Sequence, residues 1–222
     1  MAHGLFITFE GTEGGGKTTQ IQLLATRLRK LGRVCKTLRE PGGTPIGEEI
    51  RHTLKHSIHN QAMTPEAELL LMNASRAQLV REVIRPALSL GEIVLCDRFF
   101  DSTLAYQGYG RGLDTEFIRR VIDFAVGETR PDLTLFLSVP VEVSEGRRRT
   151  REEGKPVIRD RFEEADRAFF ERVETGYKSV ARLEPGRVKL IDATGSVEQV
   201  EGAVWSHLAL LLNAPEDCRT SR

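Results

Sequence analysis

A glycine-rich segment near the start of the chain carries the pattern G-x-x-x-x-G-K-[ST], at Gly11, Gly16, Lys17 and Thr18. Glycines allow consecutive backbone N–H groups to curl around phosphate oxygens without clashes from Cβ atoms. The lysine can reach the β- and γ-phosphates, and the following hydroxyl can bind Mg²⁺. The pattern predicts a P-loop that binds ATP and Mg²⁺. The predicted nucleotide-binding residues are Gly11, Thr12, Glu13, Gly14, Gly15, Gly16, Lys17, Thr18 and Thr19.

The segments on either side of this loop favour a P-loop over a glycine-rich turn with a chance lysine. Leu5–Phe9 is mostly apolar, as in a short buried strand, and Ile21, Leu24 and Leu28 recur at helical spacing. A strand before the loop and a helix after it are the context that the motif requires. The helix would direct its positive N-terminal end at the bound anion.

Three charged side chains follow two other predicted strands. Asp97 comes after Glu92–Cys96, where a P-loop protein places the carboxylate that organises Mg²⁺ or its waters. A helix N-cap is the alternative role for this aspartate. Arg98 and Arg39 suit a bidentate grip on a phosphate group. Together they indicate a second phosphate site, which a protein that only hydrolyses a triphosphate does not need.

An arginine-rich segment, residues 147–161, has seven basic and three acidic side chains. Such a run is usually a solvated face, but this one follows a predicted strand and contains Gly154 and Pro156. The P-loop itself contains no arginine, and phosphoryl transfer needs positive charge near the equatorial oxygens. We therefore expect a catalytic lid that also excludes water.

Four further side chains could line a nucleoside pocket. Met72 and Arg76 are one turn apart on a predicted helix that begins after Thr64, so they project from the same side. Tyr106 and Gln107 follow Arg98 and supply a ring and an amide able to contact a base or a sugar.

Strands and helices alternate along the whole chain, which predicts one α/β domain over residues 1–222. The five strands would form a parallel sheet covered by helices on both faces. The predicted strands are Leu5–Phe9, Arg33–Leu38, Glu92–Cys96, Leu133–Val139 and Val188–Ile191. Ligands bind beyond the carboxyl ends of such strands, and the candidate motifs all lie there.

Composition excludes several functional classes. The 32 basic and 32 acidic residues give a formal net charge of zero, which argues against nucleic acid or an anionic membrane as a partner. No apolar run approaches the roughly 18 residues of a membrane span. The first predicted strand begins too early to leave room for a signal peptide, so we expect a cytoplasmic protein.

An ordered set of motifs resembles the thymidylate kinase family over nearly the whole chain. The matching motifs are FEGTEGGGKTT (9–19), REPGGT (39–44), SRAQLV (75–80), CDRF (96–99), STLAYQGYGRG (102–112), RPDLTLFL (130–137), DRFE (160–163) and IDAT (191–194). The resemblance implies a P-loop NTPase fold and transfer of a phosphoryl group from ATP to dTMP. It also implies a homodimer built through long helices.

The resemblance implies a role for each matched residue. Lys17 and Thr18 serve ATP and Mg²⁺, and Glu13 approaches the deoxyribose 3′-hydroxyl. The residues implied to contact dTMP are Arg39 and Arg98 at the phosphate, Arg76, Thr103 and Gln107 at the base, and Tyr106 at the sugar. The resemblance also implies that lid arginines stabilise the transition state, and the candidates are Arg147, Arg149 or Arg151.

Two positions differ from the family pattern. Met72 stands where the family commonly has the phenylalanine that stacks on the base, and Phe99 stands where tyrosine is frequent. Methionine can cover a base through its polarizable sulfur, but it loses ring stacking worth about 0.5–1.5 kcal/mol. These changes concern the base and leave the phosphate chemistry intact.

Two alternatives to an ATP:dTMP phosphotransferase stay open at this point. One is a P-loop kinase for another nucleoside monophosphate or for a deoxynucleoside; Arg39 and Arg98 favour a monophosphate. The other is a GTP-dependent switch or regulatory nucleotide-binding module. That class needs a guanine-reading N-K-x-D, which the sequence lacks.

Overall fold

The chain folds around one five-stranded parallel sheet. The computed structural model describes residues 4–152, 161 and 166–213, without the side chains of Arg148, Arg151 and Glu152. The strands are β1 (Leu5–Glu10), β2 (Cys35–Arg39), β3 (Ile93–Asp97), β4 (Leu133–Ser138) and β5 (Val188–Asp192). They lie in the order β2-β3-β1-β4-β5, and every pairing is parallel. The predicted five-stranded parallel sheet is confirmed.

Helices cover both faces of this sheet. They are α1 (Lys17–Lys30), α2 (Pro45–Lys55), α3 (Pro65–Leu79), α4 (Arg85–Ser89), α5 (Phe100–Thr103), α6 (Thr115–Val126), α7 (Val141–Glu152), α8 (Arg167–Leu183) and α9 (Val197–Asn213). One hydrophobic cluster lies between the sheet and helices α1 and α9. A second cluster lies on the opposite face, against α3, α6 and α8. Alternate side chains of β1 supply both clusters: Phe6 faces one, and Ile7 faces the other.

Helix starts follow the signals in the sequence. Thr44 and Thr64 each precede a proline at the start of a helix, and their hydroxyls accept hydrogen bonds from Gly47 N and Ala67 N. This side-chain bond satisfies one of the N–H groups that the first helical turn leaves without a partner. Within the described residues, no helix is long and apolar enough to cross a membrane.

The segment 107–112 contains three glycines but is largely helical. Leu104–Gly110 forms a π-helical stretch that continues from α5. A Cβ atom on Gly110 would lie 2.6 Å from Phe169, and one on Gly176 would lie 3.0 Å from Ala105 Cα. The glycines therefore allow close packing of this stretch against α8, rather than a turn.

A second π-helical segment, Val80–Ile84, joins α3 to α4 just before Pro86. Proline has no N–H to donate to the preceding turn, and its ring clashes with that turn's carbonyl. Widening of the helix before Pro86 accommodates the ring.

Candidate active site

A cavity of about 580 Å³ lies over the carboxyl ends of the strands. Its wall includes the P-loop, the ends of β2 and β3, and parts of α3, α5 and α7. It brings together most of the candidate residues that the sequence singled out. Those that line it are Glu13, Gly14, Gly15, Gly16, Lys17, Thr18, Thr19, Arg39, Met72, Arg76, Asp97, Arg98, Thr103, Tyr106, Gln107 and Arg147.

Lys17 begins α1 at the floor of this cavity. Gly16 precedes it with φ of 88°, a backbone conformation that favours glycine. A Cβ atom at this position would have no neighbour within 4 Å, so the backbone conformation and not lack of space favours glycine here. The Lys17 ammonium donates to the carbonyls of Gly11 (3.0 Å) and Thr12 (2.9 Å). Burial, with a smaller contribution from the positive charge of Arg98, lowers the pKa of Lys17 to about 8. The lysine is thus held against the loop whose N–H groups would bind phosphate.

Thr18 and Asp97 form a pair of oxygen donors beside this lysine. The Thr18 hydroxyl donates to Oδ2 of Asp97 at 3.1 Å. Hydroxyl and carboxylate oxygens suit Mg²⁺, which is usually held by one or two protein ligands together with phosphates and waters. Among the described residues there is no cluster of three or more His, Cys, Asp or Glu side chains able to hold a metal alone. The pair therefore fits an ion that arrives with a nucleotide.

Arg98 is held from several sides at the end of β3. Among the described residues it is the only one other than glycine with a positive φ (71°). This conformation turns the backbone immediately after the strand. Its guanidinium donates to the hydroxyls of Ser102 (3.2 Å), Tyr177 (3.1 Å) and Tyr106 (3.2 Å). The arginine is therefore positioned before any ligand binds.

Glu10 completes this network, and the sequence reasoning missed it. Its carboxylate accepts from Phe99 N (2.7 Å), Ser102 Oγ (2.5 Å) and Tyr177 Oη (3.0 Å). Burial, followed by the charge of Asp101, raises the pKa of Glu10 to about 7. A glutamate at the end of the mostly apolar strand β1 is the signal that could have identified it.

Arg76 is almost fully buried (2% exposed). Its Nε donates to Glu40 (2.7 Å), and its Nη1 donates to Asn73 and Thr103 (both 3.0 Å). Its Nη2 lies 2.7 Å from Glu40 and donates to the carbonyl of Phe99 at 3.2 Å. The protein itself thus engages all three nitrogens, and contact with a base stays a prediction for this residue.

Arg39 and Arg51 occupy different positions at the phosphate end of the cavity. Arg39 is half-exposed and forms an ion pair with Glu48 at 2.8 Å. Arg51, on α2, also lines the cavity and donates to the carbonyl of Pro41 at 2.9 Å. Arg51 could not be singled out from its sequence position, because a charged residue on a short amphipathic helix is usually exposed to solvent. The loop before α2 brings it to the cavity.

The three predicted lid arginines are separated by the structure. Arg147 Nη1 lies 3.5 Å from the carbonyl of Gly14, so this residue reaches the P-loop. Arg149 is 72% exposed and lies 3.5 Å from Glu145 on its own helix. The side chain of Arg151 lies outside the described part of the chain, as does most of the predicted lid beyond Glu152.

A parallel sheet with a P-loop after β1, a carboxylate at the end of β3 and a second basic cluster in the same cavity defines a P-loop kinase for a small phosphorylated acceptor. The family model described as thymidylate kinase matches residues 9–204. The chain belongs to the thymidylate kinase family, as the motifs predicted.

Individual relatives agree with this assignment. The chain is 48% identical to thymidylate kinase of Syntrophotalea carbinolica over 211 residues, covering 95% of this chain and 97% of that protein. It is 50% identical to thymidylate kinase of Thermomicrobium roseum over 201 residues, covering 90% and 92%. The crystal structure of thymidylate kinase from Ehrlichia chaffeensis superposes with a TM-score of 0.73 at 33% identity, covering 93% of this chain and 99% of that one.

Proposed function

We propose that this protein transfers the γ-phosphoryl group of ATP to dTMP, giving dTDP and ADP. The observation that carries the proposal is the single cavity that contains both phosphate-binding sets. Lys17 and the P-loop lie at one side, and Arg98 and Arg51 line the same space. A donor phosphate and an acceptor phosphate can therefore meet without crossing bulk solvent. Family membership adds that the acceptor is dTMP.

The chain's own residues would act mainly by position and charge. Lys17 would leave the carbonyls of Gly11 and Thr12 and donate to the β- and γ-phosphates. Arg98, already fixed by three hydroxyls, would hold the acceptor phosphate in line for attack. Arg147 would add positive charge where it develops in the transition state. Thr18 and Asp97 would hold Mg²⁺, which when bound neutralises phosphate charge.

The cavity supports a nucleoside monophosphate as the acceptor. Met72, Thr103, Tyr106 and Gln107 also line it and provide an apolar side chain, a hydroxyl, a ring and an amide. These groups can cover and hydrogen-bond a base, whereas a bare phosphate would leave them unused.

Helices α3 and α6 support the prediction of a homodimer. They pack against each other, and they expose Leu70 (59%), Phe117 (48%) and Phe124 (86%). Large apolar side chains that are exposed close together are characteristic of an interaction surface. We propose that a second copy of the chain covers them. A single domain over residues 1–222 and a cytoplasmic location stay predictions.

The decisive experiment is to measure ADP release from ATP and Mg²⁺ with dTMP, dUMP, dCMP, dGMP and thymidine offered separately. Turnover well above the others with dTMP is the expected result. Equal or faster turnover with another acceptor would reject dTMP but keep the transfer mechanism, and absence of acceptor-dependent release would reject the kinase. The Lys17→Ala variant is the blank, because loss of this donor should cost at least about 10²-fold in turnover with the fold intact.

A further inference from the structure

The carboxylate of Glu68 lies behind the base side of the cavity. Glu68 belongs to α3 and is fully buried (0% exposed). Nε2 of Gln107, which lines the cavity, lies 2.7 Å from Oε1 of Glu68. A fully buried carboxylate is costly unless several donors reach it, so its partners determine what it does.

Two arginines also donate to this carboxylate. Arg111 reaches Oε1 through Nε at 3.3 Å and Oε2 through Nη2 at 3.1 Å, and Nη2 of Arg161 lies 3.1 Å from Oε2. A guanidinium group can only donate, so both oxygens of Glu68 act as acceptors. Arg161 is itself fixed by a 2.8 Å bond from its Nη1 to the carbonyl of Asn60. The carboxylate is therefore held in position independently of Gln107.

This arrangement decides which way the Gln107 amide faces. The amide group next to an accepting oxygen must be the NH₂ group, because two acceptors would repel each other. The carbonyl oxygen is then the amide atom left for the cavity. No hydrogen bond within residues 4–152, 161 and 166–213 uses this oxygen.

We propose that Glu68 is a positioning residue that selects the base by fixing the Gln107 carbonyl as an acceptor. The proposal rests on the proposed function, since it concerns the acceptor's base. A fixed acceptor matches a pyrimidine with an N3–H donor, as in thymine and uracil. Cytosine presents an acceptor at N3, so it would leave two lone pairs facing each other. Sites with a fixed hydrogen-bonding pattern discriminate strongly against such a mismatch.

The test compares binding of dTMP and dCMP to the wild-type protein and to Glu68→Gln by titration calorimetry, with ATP absent. Glutamine at 68 can donate as well as accept, so the Gln107 amide becomes free to turn over. The expected result is about a tenfold fall in the dTMP-to-dCMP affinity ratio, the scale of one hydrogen bond. In turnover assays, KM for dTMP should rise while kcat and KM for ATP stay close to wild type.

Matched variants separate positioning from loss of structure. Arg111→Gln removes one ion pair from the same carboxylate but leaves the acceptor for Gln107, so it should keep the wild-type affinity ratio. In a Gln107→Leu background, Glu68→Gln should cause no further change. An unchanged ratio in folded Glu68→Gln, or an equal change in both backgrounds, would overturn the proposal.

A measurement on the wild-type protein covers the case in which Glu68→Gln does not fold. NMR can measure how fast the side-chain amide protons of Gln107 exchange with solvent, and their signals are assigned by their absence in Gln107→Leu. These protons should exchange slowly. Exchange as fast as in exposed glutamines would contradict the bond to Glu68. Absence of dTMP turnover by the wild-type enzyme would reject the proposed function. Slow exchange at Gln107 would still report the orientation of the amide.

Discussion

The hydroxyl of Thr18 lies 3.1 Å from Oδ2 of Asp97, although 79 positions separate the two residues in the chain. Parallel pairing of β1 with β3 produces this contact, because Phe9 is in register with Asp97. The P-loop leaves β1 two residues later and returns at Thr18, on α1. The sheet register therefore assembles the proposed Mg²⁺ ligands before any ion binds.

Replacing Asp97 with asparagine should raise the Mg²⁺ concentration needed for half-maximal turnover by roughly 10- to 100-fold. Asparagine retains the shape and can still accept from Thr18, but it lacks the negative charge. Mg²⁺ titration of the steady-state rate measures the effect. Asp192→Asn, at the exposed end of β5, serves as the control and should leave the titration unchanged. An unshifted curve for Asp97→Asn would remove this residue from the ion site.

For the wild-type enzyme, kcat/KM for ATP should decline as pH rises above about 8. Burial lowers the pKa of Lys17 to about 8, so the free enzyme loses the ammonium charge in that range. Steady-state assays at several pH values, with fixed free Mg²⁺, measure the profile. Lys17→Arg stays charged throughout, so its residual activity should lack the alkaline decline. The same decline in both proteins would assign it to another group.

Arg51→Gln should raise KM for dTMP more than Arg39→Gln does. Arg51 is anchored to Pro41 beside the cavity, whereas Arg39 is 51% exposed and paired with Glu48. A charge-assisted bond to phosphate is worth about 1.5–3 kcal/mol, which corresponds to a rise of roughly 10- to 150-fold. The two variants remove the same charge and so control for each other. A larger effect at Arg39 would support the assignment made from sequence.

The sequence predicted the sheet, most helices and the location of the site, because each depends on local patterns. Apolar runs gave the strands, and Thr44 and Thr64 marked two helix starts. Motifs at the carboxyl ends of strands converge in any such sheet, which is why Lys17 and Asp97 could be placed together.

What the sequence could not supply depends on tertiary packing. The glycines at 108 and 110 look like turn formers, and only the close approach of α6 to Gly108 and of α8 to Gly110 shows that they permit packing. Burial of Glu10 and Glu68 likewise depends on elements that come from distant parts of the chain. A glutamate in a helix, such as Glu68, gives no local sign that it will be enclosed.

The proposed dimer predicts that Phe124→Asp lowers the molecular mass in solution. Phe124 is 86% exposed on α6, so the charge costs little in an isolated chain but should disrupt an apolar interface. Light scattering coupled to size-exclusion chromatography should show a dimer for the wild-type protein and a monomer for the variant. Leu31→Asp, exposed after α1 on the opposite face of the sheet, should stay dimeric. A monomeric wild-type protein would contradict the proposal.

Glu10 should make the folded state less stable as pH rises from about 5 to about 7.5. Burial raises the pKa of Glu10 from 4.5 to about 7, so within this window the folded state binds a proton that the unfolded state has released. Stability then falls with pH by up to about 1.4 kcal/mol per pH unit. Urea unfolding of wild type and Glu10→Gln at both pH values measures the difference.

Glu10→Gln does not titrate but can still bond Phe99 N and the hydroxyls of Ser102 and Tyr177. The free energy of unfolding of wild type minus that of the variant should therefore decrease as pH rises, while groups common to both proteins cancel. The substitution should change the activity less than the stability, because Arg98 stays fixed by the same hydroxyls. A pH-independent difference in stability would show that the Glu10 proton is not coupled to folding.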